Sequence, residues 1–142
     1  MLKIKKTVNL DQELYKDAVS IREQVFVSEQ GIPIELEMQG ENGPCYYVGY
    51  VNDVPVATAR VVLDGQQWII QRMAVLPDWR NRHFGSKIIE AIEHDAKENH
   101  VNKITLHAQD NAEKFYQKLG YKIQGESFNE VEIPHHVMTK EL

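Results

Sequence analysis

The stretch from Gln71 to Ile89, reading Gln-Arg-Met-Ala-Val-Leu-Pro-Asp-Trp-Arg-Asn-Arg-His-Phe-Gly-Ser-Lys-Ile-Ile, limits the fold more than any other part of the chain. Its apolar start reads as the end of a strand, and Pro77 cannot continue as a sheet member because it has no N–H to give the ladder. A basic turn follows, and Gly85 leads into Ile88, Ile89 and Ile92 at helical spacing. A strand, a tight turn and a helix are therefore expected in that order. The first N–H groups of such a helix have no intrahelical partner and the dipole is positive there, which favours an anion and above all a phosphate. Arg80, Arg82 and Lys87 add positive charge at the same end. Arg80, Asn81, Arg82, His83, Phe84, Gly85 and Ser86 are thus the candidate pyrophosphate cradle.

The chain's 142 residues fit one domain, 1–142, long enough to bury roughly 70% of its unfolded surface. Its formal charge of −5 makes the basic turn a local patch in an acidic protein. That arrangement suits a small polyanion and argues against nucleic acid as a partner. No apolar run approaches the length of about 20 residues that a membrane span needs, and Met1 to Lys5 lacks the apolar core of a signal peptide. A cytoplasmic protein with no membrane partner is expected. The single cysteine, Cys45, allows no internal disulfide, in keeping with a reducing compartment, and reads as a small buried hydrophobe rather than a nucleophile.

Read from the start, Leu2, Ile4 and Val8 with lysines between them suggest a strand with one exposed face. From Asp11 the period changes, and Leu14, Ala18, Ile21 and Val25 recur at helical spacing, with Asn9 or Asp11 as N-cap and an end near Phe26 to Ser28. Residues 29–44 hold Gly and Pro at both ends and four carboxylates; a connection this long is usually functional, and substrate recognition is placed there. Tyr46 to Val51, the Asn52-Asp53 turn and Val54 to Leu63 make a hairpin, and Asp64-Gly65 turns the chain into Trp68 to Val75. After the helix from about Gly85 to Asn99, Lys103 to Ala108 reads as a buried strand. A strand, helix, strand run makes these two strands parallel. Asn111 to Leu119 forms a short helix stopped by Gly120. Tyr121 to Ile123 and Val137 to Lys140 pair as a last hairpin, with an irregular excursion through Glu126, Phe128, Glu130 and Pro134. No repeat, low-complexity tract or linker interrupts the order β-α-β-β-β-α-β-α-β-β.

Two segments of this order carry a family resemblance. Arg80-Asn81-Arg82-His83-Phe84-Gly85 resembles the acetyl-CoA loop of the GCN5-related N-acetyltransferases (GNAT), usually Gln/Arg-x-x-Gly-x-Gly/Ala, after a strand ending like Met73-Ala74-Val75. Gln109 to Tyr121 resembles that family's second signature, Asn-x-x-Ala-x-x-Phe-Tyr-x-x-x-Gly-Phe, with Ala112, Phe115 and Tyr116 at matching positions. His83 stands where the first loop glycine is usual and Gln109 where asparagine is usual. Ile21 to Gln30 and Pro134 to Met138 resemble a subgroup of small bacterial acetyltransferases whose substrates the sequence does not name. The resemblance implies an α/β fold of the α+β kind: a mixed, mainly antiparallel sheet of about seven strands with flanking helices, its fourth and fifth strands parallel and splayed. It implies acetyl-CoA as co-substrate, with an amine acceptor as partner and a homodimer left open; six scattered histidines and one cysteine show no ligand spacing, so no metal is expected. Pantetheine would enter the gap, where parted strands lack ladder partners.

Acyl transfer to an amine needs a neutral nucleophile, stabilisation of an oxyanion, and a proton for the departing thiolate. The backbone N–H groups of Met73, Ala74 and Val75 are the candidates for binding pantetheine and polarising the carbonyl; their side chains read as core either way. Gln109, Ala112 and Phe115 join them by the motif match, and Phe115 and Leu119 are four apart, as core residues would be. Tyr116 is the candidate general acid, against a plainer reading as an aromatic packed on the sheet. The base is open among Glu29, His107, His135 and His136, of which Glu29 is carried forward; His135 and His136 face opposite ways if both lie in a strand. Arg60 and Arg72 resemble arginines beside the acceptor pocket, and in a strand each needs an anionic partner if buried or faces solvent if not. An N-acetyltransferase and a non-catalytic acyl-CoA-binding or sensor module are the two functions in competition.

Overall fold

The computed structural model describes residues 1–142. Seven strands form one sheet in the order β1-β2-β3-β4-β5-β7-β6. They are β1 (Leu2–Thr7), β2 (Cys45–Val51), β3 (Val54–Asp64), β4 (Gln67–Val75), β5 (Lys103–Gln109), β6 (Lys122–Glu130) and β7 (Ile133–Glu141). The helices are α1 (Glu13–Arg22), α2 (Ile34–Glu37), α3 (Phe84–Glu98) and α4 (Glu113–Lys118). Only β4 and β5 are parallel; every other neighbouring pair is antiparallel. The mixed sheet, its strand order along the chain and its parallel pair agree with the sequence reading.

Alternation in β2 sets the two layers. Tyr46 and Val48 face α1, where Ala18, Ile21, Val25 and Phe26 cover them. Cys45 and Tyr47 face the other way, with Ile88, Ile89, Ile92 and Ala96 of α3. The three isoleucines are fully buried, each worth about 1.5–3 kcal/mol against exposure. This burial anchors α3 and so fixes the turn that opens it.

Three local expectations need correction. The N-cap of α1 is Gln12, with no side-chain cap; Asn9 instead accepts the Asp11 N–H at 2.8 Å through its Oδ1, a turn that competes with capping. The helical stretch runs on to Glu29, close to the expected end near Phe26 to Ser28, but beyond Arg22 it is not α: it widens over Glu23–Glu29, where the Gln30 N–H reaches back to the Val25 carbonyl. The excursion between β6 and β7 is itself strand: the two pair out to Glu130 and Ile133 across a register shift between Gln124 and Phe128. Their turn is Val131-Glu132 with φ of 46° and 62°, the left-handed pair usually supplied by Asn-Gly, so no turn signal marked it.

The β4–β5 ladder runs from Gln67 opposite Lys103 to Ile70 opposite Leu106 and ends there. β4 continues to Val75 on β3, and β5 continues to Gln109 on β7. The parallel strands therefore part, and the backbone of their last residues faces a gap.

Candidate functional site

The gap opens into a groove of about 1210 Å³. Met73, Ala74 and Val75 form one wall; Leu106 to Gln109, Ala112, Phe115 and Tyr116 form the other. At one end lie Trp79 to Asn81 and His83 to Ser86. Two sequence segments thirty residues apart thus meet because the parallel strands that carry them part at the same level.

The turn is built by backbone. After a 3₁₀ turn over Pro77–Trp79, Asn81 and His83 both take φ of 63°. His83 caps α3 in the left-handed region, makes no side-chain cap, and leaves its carbonyl to the Lys87 N–H at 3.1 Å. It thus adopts the conformation for which glycine is the usual choice, and its ring is exposed. The N–H groups at the start of α3 have no intrahelical partner and point out of the helix end. Gly85 is needed for closeness: a Cβ there would stand 3.2 Å from Met73 Cε and 3.2 Å from Phe115 Cζ. The turn is thereby held against β4 on one side and α4 on the other.

The three cations do not act alike. The Arg80 guanidinium is bound on both edges, to the Val75 carbonyl at 2.9 Å and to both oxygens of Glu29 at 2.7 and 2.8 Å. Its hydrogen bond holds the Glu29 carboxyl below the usual carboxylate range. Arg82 stacks on Trp79, 5.0 Å from the ring centroid, outside the groove walls. Neither Arg82 nor the exposed Lys87 pairs with a carboxylate.

On the far wall, Tyr116 is buried and packs edge-on to Phe115 and Tyr121, with ring centroids 4.9 and 5.9 Å away. Burial alone raises the pKa of its phenol, with no charge or side-chain hydrogen bond acting on it. The hydroxyl is therefore protonated and unpartnered at the edge of the groove. Gln109 crosses the gap and donates to Gln30 Oε1 at 2.8 Å.

The other end of the groove is made of side chains. His107 meets Glu130 at 3.0 Å through Nδ1, and its ring is edge-on to Phe128. His135 stacks on Phe128, with Nδ1 2.7 Å from the Ile133 carbonyl. A carbonyl only accepts, so Nδ1 carries a proton, and Nε2 stands 3.7 Å from Glu130. His136 faces away, toward Asp110 and Glu113. Glu130 and Phe128 were not legible as site residues: only the pairing of β6 with β7, then β7 with β5, brings them to His107.

Behind this end lies an ion network. Arg22, 1% exposed, binds Glu37 at 2.7 Å and Glu41 at 2.8 Å; Arg60 binds Glu41; Arg72 approaches Glu37 at 3.1 Å. Burial would raise the Glu41 carboxyl, but Arg22 and the hydroxyls of Tyr15 and Tyr46 hold it below its usual value. So two of the four carboxylates between Gln30 and Pro44 or beside it turn inward, and the loop they belong to frames the groove rather than lying open. Cys45 is buried, and burial pushes its thiol up, which keeps it unreactive.

Residues 11–142 match the family model described as the acetyltransferase (GNAT) domain. A Bacillus subtilis protein whose name calls it an acetyltransferase, with no substrate named, is 38% identical over 140 residues, 96% of this chain and 95% of that protein. Escherichia coli ElaA has the same fold at a TM-score of 0.87 and 22% identity, over 99% of this chain and 100% of that one. A GNAT family acetyltransferase from Elizabethkingia anophelis, solved with acetyl-CoA bound, superposes at a TM-score of 0.72 and 16% identity over 99% and 98% of the two chains.

Proposed function

Because this chain belongs to the GNAT family of acetyltransferases, we propose that it moves an acetyl group from CoA to a primary amine of a small molecule or protein by direct transfer, residues 1–142 acting as one transferase domain. The observation that carries this reading is the unpartnered Tyr116 hydroxyl beside the gap between the parted strands. Bound acetyl-CoA supplies the acyl group as an activated thioester. The donor set fits it: bare N–H groups at the start of α3, with Arg82 and Lys87 beside them, suit a pyrophosphate, and the unladdered edge of β4 from Met73 to Val75 suits a chain of amides. The same N–H groups polarise the carbonyl that the amine attacks.

Tyr116 gives its proton to the departing thiolate as the C–N bond forms and the C–S bond breaks. The proton lost by the amine needs an acceptor, and Glu29, His107 and His135 all stand on the groove. Glu29 must first part from Arg80, whose hydrogen bond weakens it as a base. His135 needs no rearrangement, because with Nδ1 donating to Ile133 the neutral ring presents its Nε2 lone pair, and we take it as the acceptor.

General-acid assistance is worth about 10²–10⁴-fold, and water substitutes for part of it. Tyr116→Phe should therefore lower kcat at least about tenfold while leaving CoA affinity nearly intact. Thiol release from acetyl-CoA over a mixed amine panel measures it. Wild-type turnover by the variant, under conditions where chemistry limits, removes the hydroxyl from the mechanism.

A further inference from the structure

The three arginines of the ion network differ in how fully they are used. Every nitrogen of Arg22 donates to Glu37 or Glu41, at 2.7 to 2.8 Å. Arg60 donates from Nε to Gln71 at 2.9 Å and from Nη1 to the Gln39 carbonyl at 2.8 Å and to Glu41. Arg72 has two long hydrogen bonds, both 3.3 Å, to the carbonyls of Glu37 and Leu36, and a 3.1 Å ion pair from Nε to the Glu37 carboxylate it shares with Arg22; its Nη1 donates to nothing in the protein. Its side chain is 24% exposed and lines the groove.

Charge follows the same order. Three guanidiniums face two carboxylates, Glu37 and Glu41, so the network carries one positive charge in excess. Burial weakens the protonated form of both Arg22 and Arg72; Glu41 and Glu37 more than restore it at Arg22, whereas at Arg72 burial prevails over the pull of Glu37 and the more distant Glu130. The excess therefore resides at Arg72, a half-buried cation without a full partner.

The backbone holds it there. Between Thr58 opposite Ala74 and Arg60 opposite Gln71, β4 has one residue more than β3, a bulge at which Arg72 takes φ of 56°. A long side chain in this region is strained by about 1–3 kcal/mol, and bulges re-aim side chains beside sites. The bulge directs Arg72, with its free Nη1, into the groove at the end lined by Leu36, Glu37 and Glu130, away from the turn that opens α3.

We propose that Arg72 is the receptor for a carboxylate on the acceptor, so that the amine acetylated belongs to an amino acid or another amino carboxylate. This rests on the transferase reading above. An excess of one charge suits a monoanion better than a dianionic phosphate, and a planar fork with Nη1 free fits the two oxygens of a carboxylate. Glu130, with His107 on one side and His135 on the other, then offers the ammonium end of the same molecule a counter-charge until its proton is taken.

The test separates binding from turnover. Hexanoate, hexanamide and hexylphosphonate are titrated into the protein–CoA complex by NMR, with wild type, Arg72→Gln and Arg72→Lys. Hexanoate should bind at least about tenfold more tightly than hexanamide and more tightly than the phosphonate; Arg72→Gln should erase the preference, and Arg72→Lys should keep part of it. Equal binding or equal failure of hexanoate and hexanamide, a preference for the phosphonate, or a preference that survives in Arg72→Gln overturns the proposal. Should Arg72→Gln fail to fold, Arg72→Lys decides by losing or keeping the full preference. Thiol release with 6-aminohexanoate and its amide is scored separately. Carboxylate binding without thiol release from any amine sinks the transferase reading and leaves the receptor; thiol release indifferent to the carboxylate does the reverse.

Discussion

The two ends of the groove are built on different principles. The end at the start of α3 is made of backbone: left-handed residues at Asn81 and His83, bare N–H groups, and a glycine at 85 that lets three elements touch. The other end is made of side chains, Arg22, Glu37, Glu41, Arg60 and Arg72, drawn from α1, the α2 loop, β3 and β4 and locked in one buried network. A backbone site depends on conformation and tolerates changes of side chain. A side-chain site depends on every partner, because a buried charge left alone is costly. The first suits a ligand that is always the same and the second a ligand that must be chosen.

The sharpest way to break this contrast is to remove one partner at the side-chain end. Glu37 is 2% exposed and is the principal partner of Arg22 and Arg72. Glu37→Ala should cost about 3–5 kcal/mol, as stranding a buried guanidinium does. Glu29→Ala, which breaks the exposed pair with Arg80, should cost at most about 1 kcal/mol. Urea denaturation compares them. Equal losses would mean that the network is no more binding on the fold than a surface pair.

The same contrast decides what was legible in the sequence. The turn end lies within one run of nineteen residues, where Pro77, Gly85 and the isoleucine spacing each report local backbone, so strand, turn and helix could be read together. Arg60 and Arg72 could not be told from a solvated face, since their partners Glu41 and Glu37 sit in a loop whose four carboxylates looked alike. The bulge at Arg72 carries no glycine to mark it. The β6–β7 turn was missed for the same reason, with Val131 and Glu132 in a conformation their chemistry does not favour. Where tertiary packing imposes a backbone on residues that would not choose it, local reading has nothing to detect.

A change of intermediate size tests the turn end through charge. Arg80 is already bound to Glu29 and Val75, so the cations free to meet a phosphate are Arg82 and Lys87. Arg82→Ala combined with Lys87→Ala should weaken CoA about tenfold at low salt and less at high salt, whereas Arg80→Ala should cost less than the pair. Calorimetric titration at two ionic strengths measures it. If Arg80→Ala proves the more damaging, the guanidinium leaves Glu29 when CoA binds.

The smallest effect belongs to His83, and it bears most directly on whether the turn is a backbone site. Its φ of 63° places it where an L side chain is strained, its ring is exposed, and it makes no cap. Glycine would relieve the left-handed strain, worth about 1 kcal/mol. The substitution also gives back conformational freedom to the unfolded chain, about 0.4–1 kcal/mol in the opposite direction. The two nearly cancel, so His83→Gly should leave the denaturation midpoint almost unmoved. CoA affinity should be kept or slightly raised, because the N–H groups that follow remain where α3 holds them. A loss of affinity of tenfold or more, with folding intact, would show that the imidazole itself meets the cofactor. The turn would then share the dependence on particular side chains that marks the opposite end of the groove.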